Sequence, residues 1–414
     1  MQRDQLRKYA DLVVKVGANL QPGQNLVIGW GLRQVLPDHI EFARSLMDAG
    51  YAAGAKFVEL AYGDEWWLRE TFRQGNIDTL SERFKRQAEW IEHLADEGSA
   101  FISIPSSDPN LYRGVDAARV NEADRVIAAA LRPFNDKRTN GDYQWTLASA
   151  PTKEWADVVF PDLAPTDRFE ALWDAILASA RADGNDPVSA WQMHVSDLHE
   201  RRAYMNDLEI EELHYRAPGT DLRIRMPKGH YWTAASQDTP EGITFVANIP
   251  TEEVYSAPAK YGVNGTVTST MPLNHNGTLI DGISLTFENG RIINYSAAHG
   301  QEALASIIET DEGSHYLGEV ALVPADSPIA KRGLLFYNTL FDENASCHLA
   351  IGKAYPLIEG GRNLPQSEWE GHELNSSLKH VDFMIGSPSL NIDALTRSGT
   401  TVPLFRNGKW ATSL

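Results

Sequence analysis

The chain has 414 residues and a formal net charge of −19. That length suffices for about two or three domains around a large core. The cation deficit excludes a phosphate backbone or an anionic membrane surface as the expected partner. Hydrophobic residues make up 43% and charged residues 22%, ordinary values for a globular protein. A single cysteine, Cys347, rules out an intrachain disulfide. The first residues carry charges but no apolar core of a signal peptide, and no apolar run approaches roughly 18 residues. A cytoplasmic protein is expected.

In chain order, Leu6, Tyr9, Ala10, Val13 and Val16 fall near helical spacing and predict a helix over 3–16, with Gly17 as its C-terminal cap. A Pro-Gly turn at Gln21–Gln24 leads into a short buried strand, Asn25–Ile28. Helix over 36–49, strand over 55–60, helix over 81–96 (Phe84, Ala88, Ile91, Leu94), strand over 100–104, helix near 115–132 and strand near 143–149 continue the alternation. Such alternation predicts an α/β domain with a mostly parallel sheet. It contains neither Gly-x-Gly-x-x-Gly after a strand nor a phosphate-binding loop of the Walker type, so nucleotide binding is not expected.

After a further helical pattern at 165–182, the polar, turn-rich Ala182-Asp-Gly-Asn-Asp-Pro187 reads as a linker. The domain boundary is therefore placed at 186/187. A helix from Val188 to about Leu208 follows, and then the pattern turns to β. Asp221–Met226 alternates, 243–249 is apolar, and 279–287 joins 291–295 through Glu288-Asn-Gly290. Asn-Gly between strand-like runs signals a hairpin, and Arg406-Asn-Gly-Lys409 gives a second. Residues 187–414 are expected to form an α+β domain rich in antiparallel strands.

This second half carries the chemistry. His380 and Asp382 are two apart in a strand-like run and would share a face; an imidazole beside a carboxylate suits zinc, cobalt or manganese. Glu319 sits at the start of Gly-Glu-Val-Ala-Leu-Val-Pro, where it either lies at an exposed strand end or has a cationic partner. Glu252 and Glu253 are adjacent, so on a strand only one can face a given site. His348 follows Asp342-Glu-Asn-Ala-Ser-Cys347, and Tyr355 lies seven residues on, which is the same face in a helix but not in a strand. Cys347, without a partner thiol, reads as core. His194 and His199 are five apart, not a metal-binding His pair on one helix face. There is no His-Glu-x-x-His and no Gly-x-Ser-x-Gly. Each of these signals taken alone has an ordinary reading as a solvated or packed residue.

Together, Asn248-Ile-Pro-Thr-Glu-Glu-Val254, Gly318-Glu-Val-Ala-Leu-Val-Pro-Ala-Asp326, Pro328-Ile-Ala-Lys331, Leu340-Phe-Asp-Glu-Asn-Ala345, His348 and His380-Val-Asp-Phe-Met-Ile-Gly386 resemble the thermophilic metalloaminopeptidase family of the aminopeptidase T and S type. Gly17–Gln24 is similar to that family's opening turn. The resemblance implies two divalent ions (Zn, Co, Mn or Mg) held by Glu253, Glu319, His348, His380 and Asp382, with Glu319 bridging. It implies Tyr355 at the site, where it could donate to an oxyanion, and a homodimer. Glu343, beside the ligand segment, is a candidate proton shuttle. The expected activity is release of N-terminal residues from short peptides with a free N-terminus, through a water activated by two metals. The alternatives are a non-catalytic peptide- or metal-binding protein and another two-metal amidohydrolase.

Overall fold

The computed structural model describes residues 3–275 and 277–412. It divides into two compact units. One comprises Met1–Met193 with Ser236–Pro250, and the other His194–Ala235 with Thr251–Leu414.

The first unit is built on a five-stranded parallel sheet in the order Asn248–Ile249, Trp145–Ala148, Ala100–Ser103, Asn25–Ile28, Phe57–Leu60. Its central strands are buried along their length, from Leu26 to Ile28 and from Ala100 to Ser103, as expected when helices cover both faces of a parallel sheet. The helix Ile77–Asp96 turns Leu80, Phe84, Ala88, Ile91 and Ala95 inward, the i, i+4 stripe that its sequence encodes. Three features differ from expectation. The N-terminal helix ends in a wide turn over Val13–Gly17. Gly17 is not among the residues in the left-handed conformation; a Cβ there would come 2.8 Å from Thr146 Oγ1, so this glycine permits close packing rather than a cap. A separate helix, Glu65–Gln74, precedes Ile77–Asp96, started by Asp64, whose carboxylate accepts from the backbone N–H groups of Trp66 and Trp67. And the fifth strand of this sheet comes from residues 248–249, far along the chain.

The second unit holds two large antiparallel sheets and a two-stranded one, Leu273–His275 with Thr278–Ile280. The larger has eight strands, ordered Arg291–Ser296, Ser284–Glu288, Val263–Thr268, Thr220–Arg225, Ile210–Ala217, Asn391–Thr396, Thr401–Arg406, Lys409–Trp410. Both expected Asn-Gly hairpins form: Asn289 and Gly290, and likewise Asn407 and Gly408, take positive φ, as a tight two-residue turn of right-handed strands requires. The strand expected over 279–287 is instead two, Thr278–Ile280 and Ser284–Glu288. The break is at Gly282, in the left-handed region, whose N–H is bound by the side chain of Asp281.

The smaller sheet runs His380–Met384, His348–Gly352, Leu317–Leu322, Val254–Ser256, Thr233–Ala234. One of its faces is apolar: Val254, Val320, Leu322, Leu349, Ile351, Val381 and Phe383 join Leu213, Tyr215, Ile224, Val263, Leu285 and Ile392 of the larger sheet in one core cluster. Cys347 lies in that core, its Sγ within 3.3 Å of the Val323 backbone N–H and 3.2 Å of its carbonyl.

Candidate metal centre

The opposite face of the smaller sheet is set by register. Glu319 pairs with Ala350, and Ala350 with Asp382, so these three stand in one row across three strands. Ala321, His348 and Met384 form the next row, and Gly352 and His380 the row on the other side. Residues directly opposite in a ladder share a face, so Glu319, His348, His380 and Asp382 all project on the side away from the apolar core. Ala350, between Glu319 and Asp382, has only a methyl group, so no bulky side chain stands between the two carboxylates in that row. Tyr255 pairs with Ala321 and belongs to the same face, and Glu253, two residues earlier in that strand direction, follows it.

Glu319 reaches this face through an irregularity. Leu317 pairs with the core residue Ile351, yet Glu319, two residues on, pairs with Ala350 on the other face, because the register shifts at Gly318. A bulge inserts one residue and reverses the side-chain phase. Gly318 is needed there: a Cβ would run into the carbonyl oxygens of Gly352 and Lys353.

The side chains converge. His348 Nε2 lies 3.2 Å from Glu253 Oε2 and 3.4 Å from Glu319 Oε1. His380 Nε2 lies 3.6 Å from Glu319 Oε2 and 3.4 Å from Asp382 Oδ1. The two oxygens of Glu319 therefore address two different imidazoles. Two triplets of donor atoms result, Glu253–Glu319–His348 and Glu319–His380–Asp382, each lying within 4.8 Å, with Glu319 in both. Both imidazoles are oriented from behind. His348 Nδ1 lies 3.1 Å from Ser346 O and His380 Nδ1 2.7 Å from Lys353 O. A carbonyl can only accept, so each Nδ1 carries a proton, and each Nε2 is the nitrogen turned toward the carboxylates, the arrangement by which a carbonyl orients a histidine that could ligate.

Electrostatics agree. Burial alone raises the Glu319 carboxyl, and the charges of Glu253 and Asp382 add to this, with His348 and His380 opposing. Burial disfavours charge on both imidazoles, but the surrounding carboxylates outweigh it, holding His348 well above its ordinary range and His380 up to about 10. Burial raises Asp382 as well, yet the two imidazoles bring it below its usual value. Glu343, on the turn Glu343–Ala345, is pushed well up by burial and then by the charges of Asp382 and Glu253. Asp382 Oδ1 is buried without a hydrogen-bond partner. Four largely buried carboxylates face only two imidazoles here, an imbalance that is costly, and a cation between them lowers the cost. Mixed nitrogen and oxygen donors suit divalent ions such as Zn, Co or Mn. The residues present therefore fit a divalent metal.

Of the other sequence candidates, Tyr355 lies just past the end of the His348 strand, its ring 5.2 Å from that of His380 and edge-on. The paired carboxylates part company: Glu253 faces His348, while Glu252 Oε2 lies 3.8 Å from His194 Nε2. Three residues near the centre were given no role from sequence, His194 having been set aside as a metal ligand and Asn344 standing only inside a matched block. Tyr255 stacks edge-on against Tyr355 at 6.3 Å; its i+2 spacing from Glu253 was a readable signal. Asn344 and His194 contact the chain just before Glu253, and only the tertiary fold brings them there.

A largely buried set of imidazole and carboxylate donors around a shared glutamate makes a candidate metalloenzyme centre. The whole chain carries the corresponding family signature: residues 2–410 match the thermophilic metalloprotease (M29) family model, and the protein belongs to that family of hydrolases acting on peptide bonds. It is 43% identical over 411 residues to aminopeptidase 2 of Geobacillus stearothermophilus, covering 99% of this chain and 98% of the relative. It is 42% identical over 407 residues to aminopeptidase AmpS of Bacillus subtilis (strain 168), covering 98% of each. The solved structure of wild-type AmpT from Thermus thermophilus superposes with a TM-score of 0.91 at 36% identity, covering 99% of both chains. Among the described residues, no helix is long and apolar enough to cross a membrane.

Proposed function

We propose that this enzyme is a two-metal aminopeptidase that releases the N-terminal residue from short peptides with a free N-terminus. The observation that carries the reading is the split of Glu319, one oxygen toward His348 and the other toward His380; the aminopeptidase names of its relatives support it. Glu253, Glu319 and His348 would hold one ion, and Glu319, His380 and Asp382 the other. Bound divalent ions lower the pKa of water and polarise a scissile carbonyl. The chain supplies the rest. Ser346 and Lys353 carbonyls keep both imidazoles turned inward. Tyr355, ring against His380, is assigned the hydrogen bond to the oxyanion through its hydroxyl. Glu343 is assigned the proton removed from water, held on its carboxylate oxygen and passed to the leaving amine. The apolar core behind the sheet makes the face rigid. A cytoplasmic homodimer belongs to the same reading, and sedimentation of the purified protein tests the dimer.

The test is hydrolysis of free-amine dipeptides and aminoacyl anilides by metal-stripped protein, before and after adding Co, Zn, Mn or Mg. Metal-dependent release of the N-terminal residue, absent with N-acetylated substrates, is the expected result. Equal cleavage of acetylated substrates would make the protein a general amidohydrolase. Metal uptake without release would make it a binding protein.

A further inference from the structure

Glu253 has no partner strand residue to fix it from behind, since the Val254–Ser256 strand begins just after it. The peptide unit joining Thr251 to Glu252 is nevertheless held at both ends. His194 Nε2 lies 2.8 Å from the Thr251 carbonyl oxygen. The N–H of Glu252, the other end of the same planar group, donates to Asn344 Oδ1 at 2.8 Å. A peptide unit is rigid, so gripping its carbonyl and its N–H leaves little freedom of orientation for the backbone that leads into Glu253. Asn344 is itself fixed: its Nδ2 donates to Leu340 O at 2.9 Å and its backbone carbonyl accepts from Ser327 Oγ at 3.3 Å. Asn344, His194 and the Thr251–Glu252 backbone are all buried, where bonds of this kind are strong and their loss costly.

We infer that His194 and Asn344 are positioning residues that clamp the Thr251–Glu252 peptide and thereby aim Glu253 into the metal centre. The clamp acts on one triplet only. Glu253 belongs to the Glu253–Glu319–His348 set, whereas Glu319, His380 and Asp382 are fixed by the sheet ladder. Loosening the clamp therefore weakens one ion site and spares the other. A residue needed merely for folding would lower overall stability and affect both sites alike. Asn344 also links the two segments on which the chemistry is proposed to rest: it follows Glu343, and its Nδ2 lies 3.4 Å from Glu343 Oε1.

The inference rests on the two-metal reading, and the experiment separates the two. Full-length protein stripped by chelation is titrated with Co2+, followed by calorimetry and by visible absorption of the bound ion. Wild type is expected to take two ions; uptake of none overturns the metal reading and this inference with it. If wild type takes two, Asn344→Ala and His194→Ala are each expected to weaken one site by about 10- to 100-fold, the range typical of groups that orient ligands, and to leave the other unchanged. His194→Gln, whose amide nitrogen can stand where Nε2 stands, is expected to restore affinity. Should Asn344→Ala fail to fold, the His194 pair reads the same peptide from its carbonyl end. Two sites of wild-type affinity in the folded variants, or equal weakening of both, would overturn the clamp while leaving the two-metal reading in place.

Discussion

At the scale of single residues, Glu319 is the position on which most depends, because it alone belongs to both donor triplets. Glu319→Gln keeps the shape but replaces one carboxylate oxygen with an amide nitrogen, which cannot ligate as an anion. The variant is expected to bind one ion weakly and to lose at least about 100-fold in kcat/KM, measured by peptide turnover alongside metal content. Full activity at full metal occupancy would remove Glu319 from the bridging role. The chemistry of this residue was partly legible in the sequence: a Glu in an otherwise apolar run demands either a solvent-facing end or a cationic partner. What the run did not disclose is that a bulge at Gly318 turns Leu317 and Glu319 to opposite faces. Period-two reading assumes an unbroken pleat, and a one-residue insertion reverses it.

At the scale of elements, that bulge makes Gly318 a structural requirement of the centre. Gly318→Ala would press a methyl group against the carbonyls of Gly352 and Lys353, and the Lys353 carbonyl is the group that holds His380 Nδ1. A loss of about 2–3 kcal/mol in stability is expected, measured by chemical unfolding, with weaker metal binding at the His380 side. A second element, the helix Glu65–Gln74, carries a carboxyl with a pH signature. Burial raises Glu65 to about 7; the Asp108 N–H opposes this, and the charges of Asp108, Glu154 and Asp64 add to it. A carboxyl raised in the folded state holds its proton there more tightly than in the unfolded chain. Its contribution to stability is therefore full below the ordinary value of 4.5 and is lost as pH rises through about 7. Against Glu65→Gln, wild type is expected to lose on the order of 1–2 kcal/mol between those limits, less than the full shift because the carboxyl is partly exposed. Parallel melting curves of the two proteins at pH 4.5 and pH 8 provide the check. This helix was missed in sequence because it is short and packs through little of its surface: Phe72 is its one buried residue, and Trp66 is 69% exposed. The two Asn-Gly hairpins were read correctly because their signal is local, two residues whose positive φ the turn demands.

At the scale of the whole molecule, the candidate metal centre gathers Glu253, Glu319, Glu343 and Asp382 into one buried region, and burial, with the neighbouring carboxylates, makes ionising Glu319 and Glu343 oppose folding when no cation is present. Ions that bind only the folded state stabilise it by an amount set by their excess over Kd, about 4 kcal/mol at a thousandfold excess. Chelation is expected to lower the melting temperature, and the restoring ions are expected to rank as they rank in activity; calorimetric scans with and without each metal test this. A melting temperature indifferent to every ion would remove the centre from the stability of the fold. The convergence itself was legible only from several blocks taken together, since His348, Glu319 and the His380–Asp382 pair are separated by up to 63 positions in sequence and meet through strand pairing. The composition of the sheets was less legible still: nothing local in residues 243–249 announces that their end completes a sheet whose other strands lie before residue 149.

That late strand has a consequence for how the protein is made. A ribosome releases the chain from its N-terminus, and N-terminal domains usually fold as soon as they are out. Here the parallel sheet stays one strand short until Asn248–Ile249 has been synthesised, while Trp145–Ala148 waits as an open edge of the kind that pairs promiscuously with other chains. A nascent chain halted at residue 193 is thus expected to be sticky and one halted past residue 250 is not, a contrast that solubility of the two truncations in a cell-free translation would expose. Glu253 leaves the ribosome only four residues after Ile249 closes that edge, so birth order ties completion of the first sheet to the arrival of the first acidic residue of the metal centre.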